Sequence, residues 1–383
     1  MSEPHIAAAE NVRAAIAEAA QGLVDREVLV ELIALAAVAN EHLLVIGPPG
    51  TAKSEAVRRF ARVISGSYFE YLLGRFTEPS EIFGPVDFRR LKEGFVETDT
   101  AGMLPEAEIA FLDEVFQGST AILNTLLGIL NERTFRRGHT ALQCPLRICV
   151  GASNALPADD ALAAFADRFL LRAYVQPVSD SRIEELLEGG WSLAHSTLTA
   201  KASVAELDAL VTASRNADLD TVRPLLSHAL REMRRHGVGL SDRRAVKMQR
   251  LVAAAAVLDG RTRATGADLW PIVFVAPTAE QQALAREALG DLLAQSQNTS
   301  LPAAAEEASL GPLARAGRIV NAGRALIESR PTDGDGEAAT AWRLRVEGIA
   351  REIDAGFAPE QRTPELAALR QDIVTILDPA VAQ

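Results

Sequence analysis

A chain of 383 residues is long enough to form two or three domains around a substantial buried core. Apolar residues make up 48% and aromatic residues 5%, with abundant alanine and leucine, so an ordinary globular protein rich in helices is expected. The net charge of −12 argues against a protein whose whole surface binds nucleic acid, although a local basic pore stays compatible with it.

Compartment and membrane signals are few. Cys144 and Cys149 are the only cysteines, and no histidine or acidic residue joins them in a recognised metal-ligand spacing, which fits a reducing compartment. The first residues, MSEPHIAAAENVRAA, lack the basic-then-apolar layout of a signal peptide. The longest apolar run, residues 28–38, contains Glu31 and is too short to span a bilayer. We therefore expect a soluble, cytoplasmic protein with no membrane insertion.

The first half of the chain alternates between helical and strand patterns. Residues 6–40 predict two helices that Gly22 separates, and HLLVIG then has the short apolar run of a strand buried on both faces. A helix follows from Lys53, and four further runs resemble the first strand: YFEYLL, IAFL, LRICVGA and FLLRAYV. Alternation of this kind predicts a parallel α/β sheet covered by helices on both sides.

After about Pro177 the strand patterns stop. Helices are predicted over residues 182–187, 204–214, 222–236 and 242–258, and from Thr278, where Gln281 stands at capping-box spacing. The segment QSQNTSLPAAAEEASLGP predicts a linker near residues 295–312. Two or three helices follow, with RPTDGDGE as a loop between them.

The loop after the first strand is close to a phosphate-binding pattern, G-x-x-x-x-G-K-[S/T]. Its residues are Gly47, Pro48, Pro49, Gly50, Thr51, Ala52, Lys53 and Ser54. In such a loop successive N–H groups bind phosphates at a helix N-terminus, lysine carries charge to them, and the serine hydroxyl coordinates Mg²⁺. Ala52 replaces the second glycine, which is tolerable at negative φ and costs roughly 1 kcal/mol at positive φ.

One alternative is a chance glycine turn before a helix. The chain has only four lysines, and one of them stands at the motif position, which favours the phosphate-binding interpretation.

Acidic and amide residues follow two of the other strands. Asp113 and Glu114 end the IAFL strand, where an aspartate completes a Mg²⁺ shell and a glutamate can act as general base on water. The alternative is an acidic turn before a helix capped by Ser119. Asn154 ends the LRICVGA strand, where its amide could hold the attacking water, or could simply form a turn.

Three arginines could meet phosphate. Arg168 precedes the FLLRAYV strand and could act as an arginine finger, or could pair with Asp167. Arg243 and Arg244 follow a predicted N-cap, Ser241, in the first turn of a helix. Cations are unfavourable at that end of a helix, so an anion nearby is one interpretation and a solvated arginine pair is the other.

In order and spacing these motifs resemble those of AAA+ ATPases, specifically the MoxR family and its RavA-like branch. The resemblance extends over residues 22–277. Its densest parts are GPPGTAKS, RFTEPSEIFGPVDF, GMLPEAEIAFLDEVFQGSTAILNTLLGILNERTFRRG, GASNALP, ADRFLLR and SDRRAVK. Alanine before the P-loop lysine also occurs in that family, so the resemblance implies that the loop works with Ala52.

The resemblance implies a role for each motif. Residues 47–54 would be Walker A, Asp113 and Glu114 Walker B, and Asn154 sensor 1. Arg168 would be the arginine finger and Arg243 sensor 2. Alternatives are Arg244 as the sensor and Arg133 as a second arginine that acts in trans. GLVDR would contact adenine, while FGPVDFRRLKEGFVETDTAGMLP, the helix-2 insert, and RRGHTALQCPL, a hairpin with Cys144 in a strand, would project toward a ring pore.

The implied fold is an α/β AAA+ P-loop core with its helix-2 insert over residues 1–178. An α-helical lid over 179–277 and a helical C-terminal extension over 278–383 would follow. The implied function is Mg²⁺-dependent ATP hydrolysis by a homo-hexamer that remodels a protein client beside a von Willebrand factor A domain partner. From about Gln295 nothing matches the β-rich domain of RavA, so lysine decarboxylase is unsupported as a partner. This tail would dock a partner or pack on its own lid.

Two other functions compete with this one. A nucleic-acid motor of the same clade would use Arg89, Arg90 and Lys92 of the insert, but the acidic balance and the MoxR-like middle block disfavour it. A scaffold that binds nucleotide only to assemble a ring would not need Glu114, Asn154 and Arg168.

Overall fold

A computed structural model describes residues 4–195, 197–294, 298–331, 336–357, 359 and 362–377. The described residues fall into two compact units. The first comprises Met1–Gln176 with Thr197–Ser309, and the second comprises Pro177–Ser196 with Leu310–Gln383. Among the described residues no helix is long and apolar enough to cross a membrane.

The first unit contains all of the strands and most of the helices. The strands are β1 (Leu43–Ile46), β2 (Tyr68–Leu72), β3 (Ile109–Asp113), β4 (Thr134–Arg137), β5 (Thr140–Gln143), β6 (Ile148–Ser153) and β7 (Leu171–Tyr174). Its helices before the last strand are α1 (Pro4–Ala20), α2 (Glu27–Val38), α3 (Lys53–Val63), α4 (Pro79–Phe83), α5 (Phe88–Lys92), α6 (Thr120–Glu132) and α7 (Asp160–Ala166). Strands and helices alternate here as the sequence predicts.

The remaining helices all follow β7. They are α8 (Ile183–His195), α9 (Val204–Arg215), α10 (Arg223–Arg235), α11 (Asp242–Leu258), α12 (Ala279–Ala288), α13 (Gly290–Leu293), α14 (Pro302–Leu310), α15 (Pro312–Glu328), α16 (Gly336–Gly356) and α17 (Pro364–Leu377). The described residues after β7 contain no named strand, in agreement with the sequence pattern.

The main sheet has five parallel strands in the order β2-β3-β6-β1-β7. Every residue of β1 and β6 is buried, which explains why these strands are apolar runs and do not alternate. Because the strands are parallel, the segments that follow β1, β3 and β6 meet at one edge of the sheet. The segments that precede β1 and β7 meet at the opposite edge.

The helix-2 insert and the hairpin lie together. The insert contains α5 and an antiparallel bridge between Val86 and Thr98. The backbone N–H of His139, in the turn between β4 and β5, donates to the Val96 carbonyl at 2.8 Å. Cys144 lies one residue beyond β5, so its prediction as a strand residue is wrong by one position. Its N–H instead donates to the Arg133 carbonyl at 2.6 Å.

Helix α14 occupies residues 302–310 of the linker expected near residues 295–312, which corrects that prediction. Gln295, Ser296 and Gln297 lie outside the described residues. The Glu31 carboxylate on α2 accepts hydrogen bonds from the N–H groups of Ala303 and Ala304, at the start of α14. Ala304 is buried. Polar composition suggested a linker, but small alanines also suit a helix that packs closely on another.

The second unit has its own core, formed by α15, α16 and α17 around Ile319, Ile349, Ile353 and Leu369. Helix α8 belongs to this unit, although the expected lid began at residue 179. Within it, Arg345 on α16 pairs with Glu184 on α8 at 3.2 Å. The sequence pattern predicted a helix over residues 182–187, where α8 begins, but it could not indicate which distant helices would pack against it.

Candidate functional site

The loop between β1 and α3 has a strained backbone. Ala52 adopts φ 56° and ψ 28°, the left-handed conformation that costs an L-residue roughly 1 kcal/mol. The sequence left both signs of φ open at this position, and the structure has the strained one. Gly50 also has positive φ, at 75°. A Cβ on Gly47 would overlap the carbonyl oxygen of Val175, so only glycine fits where the loop begins.

Lys53 points into this loop. Its Nζ donates to the carbonyls of Gly47 at 2.8 Å and Pro48 at 2.9 Å. Burial lowers the pKa of Lys53, while the nearby carboxylates of Asp113 and Glu114 act in the opposite direction. Ser54 follows in the first turn of α3. The loop therefore offers a cation and a helix N-terminus to an anion, and both suit nucleotide phosphates.

Arg26 supports the loop from the segment before α2. Its side chain is buried, with Nε donating to the Thr51 carbonyl at 2.7 Å and Nη2 to the Gln176 carbonyl at 2.9 Å. The family resemblance predicted that GLVDR contacts adenine, but it did not predict that Arg26 supports the phosphate loop. A single arginine near a turn gave no signal of it, because its partners are backbone groups 25 and 150 residues away.

Two predicted catalytic residues are in direct contact. Asn154, just after β6, donates from Nδ2 to Oε1 of Glu114, just after β3, at 2.7 Å. The N–H of Gly47 bonds to the carbonyl of Ser153 at 3.1 Å, which joins the phosphate loop to the same edge. Glu114 has φ 48° and ψ 46°, a second left-handed residue. Strain of this kind concentrates at functional sites.

The oxygen donors present suit Mg²⁺ in part. Ser54 and Asp113 offer a hydroxyl and a carboxylate, while no cluster of three or more His, Cys, Asp and Glu exists among the described residues. Mg²⁺ is usually held by one or two carboxylates together with substrate phosphates and water. The residues therefore fit a Mg²⁺ ion that arrives with nucleotide, and they do not form a cage complete in protein ligands.

Arg168 lies at the opposite edge of the sheet, three residues before β7 begins. The first residue of β7, Leu171, pairs with Leu43 at the start of β1, and the phosphate loop begins after the other end of β1. Four strand residues separate the two edges by roughly 13 Å. Arg168 Nε is buried and has no hydrogen-bond partner within the described part of the chain.

Arg243 and Arg244 have different environments. Arg244 is buried, and its guanidinium donates to the carbonyls of Phe169 at 3.0 Å, Leu170 at 2.6 Å and Val275 at 2.7 Å. Burial lowers the pKa of Arg244, while Asp167 opposes that effect. Arg243 is exposed in the same turn. Because the Arg244 guanidinium is bonded to backbone carbonyls of its own fold, Arg243 stays the predicted sensor. Ser241 and Arg244, close to Arg243 along α11, both bond Asp167, the neighbour of Arg168.

Arg133 is held by groups of its own chain, which argues against the hypothesis that it acts in trans. Its Nε donates to the Leu146 carbonyl at 2.9 Å, Nη1 to the Leu130 carbonyl at 2.5 Å, and Nη2 to the Asn40 carbonyl at 3.1 Å. Burial lowers the pKa of Arg133 to about 10. A guanidinium that satisfies three backbone carbonyls of its own fold has few donors left for a neighbour's phosphate.

Two family models match this chain. The model described as the MoxR domain in the MoxR-vWA-beta-propeller ternary systems matches residues 10–212, which is more than half of the chain. A model of the AAA lid domain matches residues 220–285. Neither specifies the RavA-like branch, which stays a prediction.

Three relatives match parts of this chain. Two uncharacterized proteins of Methanocaldococcus jannaschii are each 36% identical over 248 residues, 64% of this chain. The match covers 65% and 64% of their lengths, which is less than two thirds. The chaperone MoxR1 of Mycobacterium tuberculosis is 28% identical over 140 residues, 37% of this chain and 36% of its own.

A crystal structure of a candidate ATPase from Cytophaga hutchinsonii shares the fold. Its TM-score is 0.61 at 16% identity, with 78% of this chain and 97% of that chain covered. At that identity the likeness shows the fold alone. The family matches, the parallel sheet and the lid together show that this chain belongs to the MoxR family of AAA+ ATPases.

Proposed function

We propose that this protein hydrolyses ATP with Mg²⁺ and that it does so as a homo-hexameric ring. The observation that carries this proposal is the 2.7 Å contact between Asn154 and Glu114, beside the strand that leads into the phosphate loop. A carboxylate and an amide held together beside a phosphate-binding loop can orient and deprotonate an attacking water. Mere nucleotide storage would not require such a pair.

Each residue of this edge has a separate task. Lys53 and the N–H groups of residues 47–54 bind the β- and γ-phosphates, and Ser54 and Asp113 would hold Mg²⁺. Bound Mg²⁺ would neutralise the negative charge that develops on the phosphates. Glu114 takes the proton of the attacking water, and Asn154 fixes the orientation of the Glu114 carboxylate.

The arginines supply the argument for a ring. Arg168 lies three residues before β7, whose start is roughly 13 Å along the sheet from the phosphate loop. Arg243 stands between Ser241 and Arg244 along α11, and both of these residues bond Asp167, the neighbour of Arg168. Arginines in that position could serve a nucleotide only if it is bound by another subunit. Arginine fingers supplied in trans stabilise charge on the γ-phosphate and make turnover depend on assembly.

Names of related proteins support a chaperone-like role. A relative is named as a chaperone, and the matching family model is described from ternary systems with vWA and beta-propeller components. We propose that the ring remodels a protein client in the cytoplasm with a von Willebrand factor A domain partner, and that a β-propeller protein is the third component.

The alternatives are less well supported. A nucleic-acid motor would use the basic residues of the insert, but Arg90 is paired with Glu93 at 2.6 Å and Glu97 at 2.9 Å. Arg89 and Lys92 provide too little basic surface to offset the net charge of −12. A non-catalytic scaffold would not require Glu114 to adopt a strained conformation in contact with Asn154.

Titration of ATP and measurement of phosphate release test this proposal. Lys53→Ala removes the cation of the phosphate loop and should weaken ATP binding strongly. The matched control, Lys92→Ala, removes one of the other three lysines and should leave binding unchanged. Unaltered ATP affinity in Lys53→Ala would contradict the proposed site. Turnover stimulated by DNA in wild type but lost in Lys92→Ala would instead favour the nucleic-acid motor.

A further inference from the structure

The segment around Arg168 is anchored by two buried arginines. Arg172 on β7 is 3% exposed, and its Nη2 donates to the Ala166 carbonyl at 2.7 Å. Arg244 on α11 is 2% exposed and donates to the carbonyls of Phe169 and Leu170. The backbone on both sides of Arg168 is therefore fixed by guanidinium groups.

One carboxylate adds a charged link between this segment and the lid, beside the bonds from Arg244 to the carbonyls of Phe169 and Leu170. Asp167 Oδ1 accepts from Arg244 Nη1 at 3.2 Å, and Asp167 Oδ2 accepts from the Ser241 hydroxyl at 3.4 Å. Asp167 is the neighbour of Arg168 along the chain, and Arg244 is the neighbour of Arg243. The Asp167–Arg244 ion pair thus connects the chain neighbours of Arg168 and Arg243, the two arginines to which we assign phosphate binding.

This arrangement is electrostatically expensive. Burial lowers the pKa of Arg172 to about 10, and the proximity of Arg244 contributes to that effect. The Arg244 side chain is 2% exposed and the Asp167 side chain 34%, so the main cost is the desolvation of the two guanidinium groups. A charged cluster is therefore a costly means of simple packing, and a function in fixing geometry explains it better.

The lid helix α11 is also attached independently of Asp167. The buried carboxylate of Glu41, just before β1, pairs with Lys247 at 2.7 Å and with Arg250 at 2.7 Å. These pairs secure α11 against the sheet beyond its first turn. Attachment of the lid alone therefore does not require the Asp167–Arg244 pair.

We propose that Asp167 and Arg244 are positioning residues, whose ion pair holds Arg168 and Arg243 as one unit directed at the nucleotide of the neighbouring subunit. This inference rests on the proposed trans role of the two arginines. Neither positioning residue contacts the nucleotide. The pair prevents the segment around Arg168 and the first turn of α11 from shifting independently. Both cations therefore reach the γ-phosphate at a fixed distance from each other.

Asp167→Asn tests the pair because the amide keeps the size and one acceptor but removes the charge. We expect an unchanged ATP dissociation constant and ring assembly, with kcat lowered on the order of 10- to 100-fold, since small displacements of catalytic groups have effects of this size. Asp167→Glu restores the charge and should retain more turnover than Asp167→Asn. Wild-type kcat in Asp167→Asn, or equal kcat in the two variants, would overturn the proposal.

Asp268→Asn is the matched control. Asp268 is a buried lid aspartate paired with Arg261 at 2.6 Å, and none of its hydrogen bonds reaches residues 166–170. We expect this variant to lose stability in thermal unfolding but to keep the turnover of the folded protein. A fall in kcat equal to that of Asp167→Asn would indicate a general effect of damaging the lid and would overturn the specific role.

Mixed rings separate the positioning role from damage to the variant's own site. Lys53→Ala subunits should bind ATP only weakly but carry an intact pair, so mixing them with Asp167→Asn should restore part of the turnover. The mixture of Lys53→Ala with Arg168→Ala is the reference. If the reference recovers and the Asp167→Asn mixture does not, the positioning role is wrong. If the reference itself stays inactive in mixed rings verified by native mass spectrometry, the proposed trans function fails instead.

Discussion

The two edges of the sheet differ in how their polar and charged side chains are held. At the edge after β1, β3 and β6, polar groups come from short local motifs, and both Ala52 and Glu114 have left-handed backbones. At the edge before β7, Arg172 and Arg244 are buried and donate to backbone carbonyls, which lie six residues away for Arg172 and 74 residues away for Arg244. The comparison suggests that the first edge is built for chemistry on the chain's own nucleotide, and the second for holding arginines toward another.

Arg168→Ala should produce the largest effect and tests the second edge. An arginine finger contributes about 10³- to 10⁵-fold to turnover, so this variant should bind ATP and assemble but hydrolyse very slowly. Phosphate release and ATP titration are the measurements. Mixing with Lys53→Ala should give maximal activity at intermediate ratios. Arg133→Ala should behave differently, with reduced thermal stability, because Arg133 bonds three carbonyls of its own fold.

Glu114→Gln tests the first edge. The amide keeps the shape of the side chain but cannot accept the proton of water, so turnover should fall by roughly 10²- to 10⁴-fold while ATP affinity is retained. Glu132→Gln, which alters an exposed carboxylate at the end of α6, is the control and should be active. Near-normal phosphate release by Glu114→Gln would remove Glu114 from the proposed mechanism.

Glu31→Gln examines buried charge away from both edges. Burial raises the pKa of Glu31 to about 7 from its ordinary value of 4.5, because desolvation outweighs the two N–H groups of α14. The folded state therefore holds its proton more tightly, and stability should fall as pH rises from about 4.5 to 7, by about 3 kcal/mol from this group.

Denaturant unfolding across that pH range measures this contribution. Glu31→Gln should flatten the decline, whereas the exposed control Glu10→Gln should retain it. An unchanged pH dependence in Glu31→Gln would mean that Glu31 ionises in the folded protein as readily as in the unfolded chain.

Ala52→Gly should have the smallest effect and probes strain at the first edge. Glycine adopts positive φ without the steric cost, so the free energy of unfolding should rise by up to about 1 kcal/mol. Ala56→Gly, four residues later inside α3, is the control and should lower stability by about 1 kcal/mol or more. Equal destabilisation by the two substitutions would indicate that Ala52 is not strained.

Local patterns predicted much of the first edge. Buried parallel strands are apolar runs, and the polar residues Asp113, Glu114 and Asn154 stood out because they end such runs. Helices α9, α10 and α11 were likewise predicted from their apolar periodicity and, for α11, from the N-cap Ser241. These features were predictable because neighbouring residues specify them.

Other features required contacts between distant residues. The sequence alone determined the phosphate loop, the strand-end carboxylates and the family resemblance, since each is written in contiguous residues. Only the tertiary structure decided that Ala52 is left-handed and that Arg133 and Arg244 donate to backbone carbonyls. It also decided that α14 forms where a linker was expected and that α8 packs with the C-terminal helices. The physical reason is that many partners of these guanidinium groups and of α8 lie from 13 to about 160 residues away along the chain, so no local pattern identifies them.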